Sequence, residues 1–275
     1  KKINFFFSNL NLKSPFIIIN KLLVLIENNL KKFLEVKPLI YFIPNPIWKK
    51  TLNNIDKKKI KLVHDYEIDV FKKTKKNKKK KVIVFVDQMI DKTFDSALYS
   101  FFPTSFMIRS DSYWKKIDDT LDFLEKKTGL KAVVAGAHRR SPEDIPTKKR
   151  VIFNRTPELI MQSKLVLGHN STALHYAVLF KKPIILLKMK DFKNNLRILE
   201  ILSNFTKLLG CKIIETDHLH KFKDKDKSWF FEVNNNKYIQ FLKVNLNFKK
   251  NNKSNIWTSL LNEINNKKSI LYNNF

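Results

Sequence analysis

Leu165-Val-Leu-Gly-His-Asn-Ser-Thr-Ala-Leu-His-Tyr-Ala-Val-Leu-Phe-Lys-Lys-Pro-Ile-Ile-Leu-Leu187 sets two short apolar runs on either side of one helical stretch. Leu165 to Leu167 and Pro183 to Leu187 read as strands, and Thr172 to Phe180 between them as a helix. Runs that are continuously apolar rather than alternating are buried on both faces, as in a parallel sheet covered by helices on each side. Upstream, Val82 to Val86, Ala132 to Ala137 and Val151 to Phe153 repeat the strand pattern. A helix with Trp114, Ile117, Leu121 and Leu124 on one stripe is capped by Asp111 or Ser112 and ended by Gly129. A second, Pro157 to Ser163, has Thr156 as N-cap. Downstream, a helix from Asn194 to Leu209 stops at Gly210 before a strand at Lys212 to Ile214. This order predicts a doubly wound, Rossmann-like α/β domain with a parallel sheet.

Around that domain the 275-residue chain divides by composition into residues 1–77, 78–227 and 228–275. The first part holds an expected amphipathic helix, Lys21 to Leu34, and an expected strand, Leu39 to Ile43. It ends in the tract Lys72 to Lys81, where eight lysines are relieved only by Thr74 and Asn77. Such a tract self-repels and reads as a solvated linker. The last part carries expected helices at Lys237 to Leu246 and Ile256 to Ile264, then an Asn- and Lys-rich stretch expected to fray. The chain opens on Lys1 rather than Met, so a start further upstream and a short or truncated N-terminal domain are expected.

Lys and Arg number 54 against 25 Asp and Glu, a formal net charge of +29, while 43% of residues are hydrophobic and 12% aromatic. That apolar content excludes global disorder. The single cysteine, Cys211, excludes an intrachain disulfide and a Cys-rich zinc cluster, and fits a reducing compartment. No apolar stretch is long enough to span a bilayer, and no cleavable signal peptide is recognisable. The lysine excess comes with heavy use of Asn, Ile and Phe, the profile of an AT-rich genome; its functional reading is attraction to an anionic partner. GxxxxGK[ST], GxGxxG and GxSxG are all absent, which removes the main support for ATPase, dinucleotide-binding and hydrolase readings. No nucleic-acid-binding signature accompanies the lysines, and no specific nucleic-acid partner is expected.

In an open parallel sheet, ligands bind outside the carboxyl ends of the strands. Those ends are polar here: Asp87 and Gln88 after the first strand of the domain, then His138, Arg139, Arg140 and Ser141, then Gly168-His-Asn-Ser-Thr172. The last run leads into a helix, where free amides and the helix dipole attract phosphate. An imidazole and two guanidinium groups leave a neighbouring strand at the same edge, making a convergent anion site. His175 reads as a packing or surface residue, and His218 and His220 lie in a polar loop without a recognisable metal arrangement.

From about His64 to Phe192 the chain resembles bacterial GT-B glycosyltransferases of capsule, lipopolysaccharide and surface-glycan gene clusters. The matching pieces are His64-Asp-Tyr-Glu-Ile-Asp69, Val82-Ile-Val-Phe-Val-Asp-Gln88, Phe123-Leu-Glu-Lys-Lys127, Ala132-Val-Val-Ala-Gly-Ala-His-Arg139, Thr156-Pro-Glu-Leu-Ile160, Gly168-His-Asn-Ser-Thr172 and Ala177-Val-Leu-Phe-Lys-Lys-Pro-Ile-Ile185. The resemblance implies that this Rossmann-like half holds a nucleotide sugar. His138 matches the His of the family's His-Pro pair, and Ser171 with Thr172 its phosphate-binding helix start; Arg139 replaces the Pro.

What the resemblance implies is transfer of a sugar from a nucleotide donor to a hydroxyl of a glycan or lipid-linked acceptor, without a metal and without a cofactor beyond the nucleotide sugar. His138 and Asp87 are the expected catalytic residues, His138 as an acid near the leaving phosphate and Asp87 at the acceptor or ribose. Arg139, Arg140, His169, Asn170, Ser171 and Thr172 are expected at the donor phosphates, and Glu158 at a nucleoside hydroxyl. The alternatives are a non-catalytic binder of nucleic acid or anionic surfaces on the same scaffold, and a glycerol-phosphate-type transferase. A cytoplasmic location with loose attachment to the inner membrane face is expected.

Overall fold

A computed structural model describes residues 40–45, 55–74, 81–92, 108–194, 196–249 and 255–272. The expected helix Lys21 to Leu34 and the middle of the lysine tract, residues 75–80, lie outside them. Tyr41–Thr93 and Met107–Phe275 form one compact unit. It opens with two short parallel strands, β1 (Tyr41–Ile43) and β2 (Ile60–Leu62), and helix α1 (Tyr66–Lys73). Asp65 caps α1 by accepting the Glu67 N–H at 3.2 Å. In the motif His64 to Asp69, the buried His64 Nε2 lies 2.8 Å from Asp69 Oδ1. The other Asp69 oxygen accepts the N–H of Ile256, so the motif fastens α1 to the start of the last helix.

The main sheet has six strands, all parallel. They are β3 (Val82–Val86), β4 (Lys131–Gly136), β5 (Arg150–Phe153), β6 (Leu165–Gly168), β7 (Ile184–Lys188) and β8 (Lys212–Glu215), in the spatial order β5-β4-β3-β6-β7-β8. The continuous apolar runs sit at the centre: Ile83, Val84, Phe85, Leu165, Val166 and Leu167 are all fully buried. The fold is therefore the expected doubly wound, Rossmann-like α/β architecture.

Helix α2 (Ser110–Thr128) crosses from β3 to β4, α3 (Thr156–Gln162) from β5 to β6, α4 (Leu174–Leu179) from β6 to β7, and α5 (Leu196–Leu209) from β7 to β8. The β3-to-β4 and β6-to-β7 crossovers step along the sheet in opposite directions, and right-handed connections then place α2 and α4 on opposite faces. Helix α2 buries Trp114, Ile117, Leu121 and Leu124 completely, each worth about 1.5–3 kcal/mol of transfer free energy. Helix α6 (Asn235–Asn245) packs on α4 and α5, and α7 (Ile256–Tyr272) closes the described chain.

Several boundaries differ from the sequence reading for local reasons. Helix α2 begins at Ser110, before the expected caps, because Ser110 Oγ donates to Asp91 Oδ2 at 2.6 Å and anchors the first turn. It ends as expected at Gly129, whose φ of 69° is the left-handed conformation glycine tolerates. Thr156 is the first residue of α3, with Arg155 preceding it and no side-chain cap. Helix α4 starts at Leu174 rather than Thr172 because Ser171 Oγ takes the Ala173 N–H in a local turn. The tail expected to fray continues α7 to Tyr272, as Lys267, Lys268 and Leu271 are good helix formers.

Candidate functional site

Strand order reverses between β3 and β6, so the carboxyl ends of these two neighbours form the crevice where such sheets bind ligands. Gln88, directly after β3, spans it. Its Oε1 accepts the N–H groups of His169 at 2.7 Å and Asn170 at 2.8 Å, and its Nε2 donates to Asn170 Oδ1 at 2.6 Å. The loop after β6 is thereby held by three hydrogen bonds from one amide side chain. Beyond that clamp, the N–H groups of Ser171 and Thr172 have no acceptor among the described residues. Ser171 is half-buried and Thr172 exposed. On the other side of β3, the loop after β4 carries His138 and Arg139, both exposed. With β3 between them, β4 and β6 stand two strand spacings apart, about 10 Å.

Three expected ligand-contacting residues turn inward instead. Arg140 is buried: one guanidinium nitrogen, Nη2, binds Asp91, and Nη1 donates to the Asp144 carbonyl at 3.0 Å. Its Nε lies 2.9 Å from Asp87 Oδ2, near enough for charge attraction but off the direction of a hydrogen bond. Asp87 is buried too, its Oδ1 accepting the Met89 N–H at 2.9 Å and its Oδ2 the Ala137 N–H at 3.3 Å. Burial pushes the Asp87 carboxyl up from its ordinary range, and the two amides and Arg140 counteract part of that. The cluster is closed by Asp91 Oδ2, which accepts from Trp114 Nε1 at 3.2 Å as well as from Ser110. Asp87 and Arg140 thus brace the ends of β3 and β4 against each other and are not presented to a ligand.

His169 is the third. It is fully buried, ringed by Phe85, Tyr113 and Phe192 with ring centroids 5.9, 5.8 and 5.2 Å away. Its Nδ1 lies 2.7 Å from the Leu187 carbonyl, which can only accept, so Nδ1 carries the proton and Nε2 receives the Tyr113 O–H at 3.1 Å. Burial depresses the imidazole to about 4, leaving it neutral at pH 7. Burial likewise raises the Tyr113 phenol, the nearby Asp87 and Asp91 charges adding to the effect. His169 therefore positions the loop rather than contacting an anion. Glu158 stands apart on α3, half-buried, with its charge felt by Tyr176.

The carboxyl edge continues beyond β6 into a concavity of about 310 Å³ past the ends of β7 and β8, lined by Lys188, Lys190, Lys193 and His218 and by the carboxylates of Glu215 and Asp217. A larger hollow, lined by Gly210 and Asn234 to Asn236, sits at the start of β8, on the opposite edge of the sheet. In the sequence Gln88 stands out only as a polar residue after a strand and as the end of the matching piece Val82 to Gln88. Its partners lie 81 and 82 residues away, and nothing local signals them.

No family model matches the chain, and no curated protein matches it. Among solved structures it is similar to a histidine-to-alanine variant of the wall teichoic acid polymerase TagF, at 16% identity over 84% of this chain and 59% of that one, with a TM-score of 0.50. Unsubstituted TagF gives 15% and 0.49 over the same shares. UDP-GlcNAc 2-epimerase of Methanocaldococcus jannaschii, in complex with UDP-GlcNAc and UDP, aligns at 14% over 75% and 60%, with a TM-score of 0.40. The likeness is one of fold. The chain spans 59% of the length of the TagF chains it matches.

Proposed function

We propose that this chain is the nucleotide-binding half of a GT-B glycosyltransferase, which takes a sugar from a nucleotide donor to a hydroxyl acceptor. The observation that carries the reading is the Gln88 clamp at the β3–β6 switch point, which presents the Ser171 and Thr172 amides on a rigid loop. Preorganised donors of this kind stabilise charge that builds on a departing phosphate without reorganising at the moment of reaction. His138 and Arg139, exposed one strand beyond β3, flank the same edge. Their reach and the spacing of β4 and β6 suit a diphosphate laid across the strand ends. The concavity past β7 and β8, lined by groups of both charges, supplies room for the rest of the donor.

In this reading His138 meets the leaving phosphate and transfers a proton to it or holds its charge, and Arg139 adds a guanidinium donor. Arg140, Asp87 and His169 act behind them, fixing the loops. Transfer without a metal, as the family resemblance implies, requires that these donors carry the charge by themselves. The acceptor is a glycan or lipid-linked hydroxyl, and the site of work an anionic membrane face. Supporting the last point are the net charge of +29 and an exposed apolar stripe on α7, with Trp257 and Leu261 at 63% and 58% exposure.

The test is thermal stabilisation by CMP-, UDP-, GDP- and CDP-linked sugars, with CDP-glycerol for the glycerol-phosphate alternative. A ligand at a hundred times its Kd adds about 2.7 kcal/mol, which for a chain of this size raises Tm by roughly 5–10 °C. A selective shift with one nucleotide sugar, lost in His138→Ala and Arg139→Ala, is the expected result. A shift with CDP-glycerol alone selects the glycerol-phosphate alternative. No shift with any nucleotide contradicts the reading.

A further inference from the structure

On the α1–α4 side of the sheet, three groups converge that the proposed transferase does not use. Asp65, the N-cap of α1, Glu67 in its first turn and His175 in the first turn of α4 each offer one ligand atom within 4.8 Å of the other two. All three side chains are half-buried. No hydrogen bond or ion pair joins the imidazole to either carboxylate. The His175 Nδ1 is shut off from solvent and has no hydrogen-bond partner. His175 thus keeps one ring nitrogen buried without a partner, in a ring that also places a ligand atom within 4.8 Å of two carboxylates, and a buried polar atom left unpaired in a native structure calls for an explanation.

The elements that carry the three groups are themselves firmly held. The Asp65 N–H donates to the Leu246 carbonyl at 3.0 Å, and the His175 N–H to the Thr172 carbonyl at 2.9 Å. The His175 ring packs on Phe241, with centroids 5.4 Å apart. Burial pushes the Asp65 carboxyl up and the His175 imidazole down from their ordinary values, and their mutual attraction offsets part of each shift. A neutral imidazole offers one ring-nitrogen lone pair and each carboxylate two acceptor oxygens, the kind of donors a divalent cation takes. Ligand atoms on a tetrahedral divalent ion sit about 3.4 Å apart at ligand distances near 2.1 Å, against separations of up to 4.8 Å in this cluster.

We propose that Asp65, Glu67 and His175 bind a divalent cation of the zinc class, clipping the start of α1 to the start of α4. One imidazole nitrogen and two carboxylate oxygens form a borderline-to-hard donor set suited to first-row divalent ions, and three protein ligands leave a position for water. The site does not depend on the transferase reading: it stands on ligand convergence alone, and a cation there holds two helices together whether or not a nucleotide binds. Its effect on the candidate active site runs through α4, whose preceding loop presents Ser171 and Thr172.

The test is calorimetric titration of EDTA-treated full-length protein with Zn²⁺, paired with Co²⁺ absorption in the visible to report the coordination. Variants are Glu67→Gln and His175→Gln, with a His218→Gln, His220→Gln double variant as control, because those two rings lie 5.8 Å apart and could themselves take up a stray ion. Far-UV circular dichroism and the melting transition in EDTA establish that each variant folds. Expected are one equivalent of Zn²⁺ bound with micromolar or tighter affinity, at least tenfold weakening in both cluster variants, and no change in the control. Absence of binding to the parent chain overturns the proposal, as does binding that survives Glu67→Gln and His175→Gln or is lost only in the control. Glu67→Gln keeps the inference falsifiable if His175→Gln fails to fold.

Discussion

Arg139 and Arg140 are adjacent in the chain, yet one is exposed and the other buried between two carboxylates. Removing Arg140 leaves Asp87 and Asp91 buried and uncompensated, so Arg140→Ala is expected to lose about 3–5 kcal/mol of stability at pH 7. The loss shrinks as pH falls below neutrality, because protonation of Asp87, whose carboxyl burial already pushes up, removes one of the uncompensated charges; urea unfolding at neutral and at acid pH checks both parts. His169 gives the opposite sign. Folded, it accepts a proton near pH 4, and unfolded near 6.5. The stability its burial contributes is complete above about pH 6.5 and is lost as pH falls toward about 4, at up to about 1.4 kcal/mol per pH unit. Comparing the parent chain with His169→Gln across that range isolates the group, and equal slopes would contradict its burial as a neutral ring. Neither fate is legible in sequence. Arg140 turns inward because Asp91 and Trp114 wait for it, and His169 because Tyr113, 56 residues earlier, supplies its second hydrogen bond.

Elements were far more legible than side chains. Val82 to Val86, Leu165 to Leu167 and Pro183 to Leu187 announce themselves because a strand buried on both faces has no polar position to confuse the pattern. Helix ends were less so where a distant partner decides them, as Asp91 does for α2 and the Ser171 turn does for α4. The loop after β6 depends on an element that sequence reading left out of the site. Gln88→Ala strands the N–H groups of His169 and Asn170, at a cost of about 1–3 kcal/mol, and is expected to weaken donor binding at least tenfold. Gln88→Glu keeps an acceptor for both amides and loses only the donation to Asn170, so its stability should lie between that of the parent and Gln88→Ala. Urea unfolding and nucleotide titration of the three proteins check this ranking; a Gln88→Ala chain as stable as the parent would remove the clamp from the account.

At the scale of the molecule, doubly wound topology was readable because strand and helix patterns alternate, whereas the strand order that places the switch point between β3 and β6 was not. Composition leaves the lysine excess open between genome bias and an anionic partner, and the proposed membrane attachment takes the second reading, with the exposed apolar stripe on α7 beside it. Binding to vesicles containing anionic lipid is expected at low ionic strength, to fall steeply above 0.15 M salt as screening tightens to about 8 Å, and to weaken in Trp257→Glu. Flotation assays check it, and equal binding to neutral vesicles would count against charge as the cause. No described helix is long and apolar enough to cross a membrane. The central claim is that a donor diphosphate lies on the β3–β6 edge. The most direct measurement is a crystal structure of the chain with whichever nucleotide sugar stabilises it. Phosphate oxygens are expected within hydrogen-bond distance of the Ser171 and Thr172 amides, with His138 or Arg139 on the other side. A nucleotide found in the hollow by Gly210 and Asn234, or anywhere away from the carboxyl ends of β3 and β6, would contradict it.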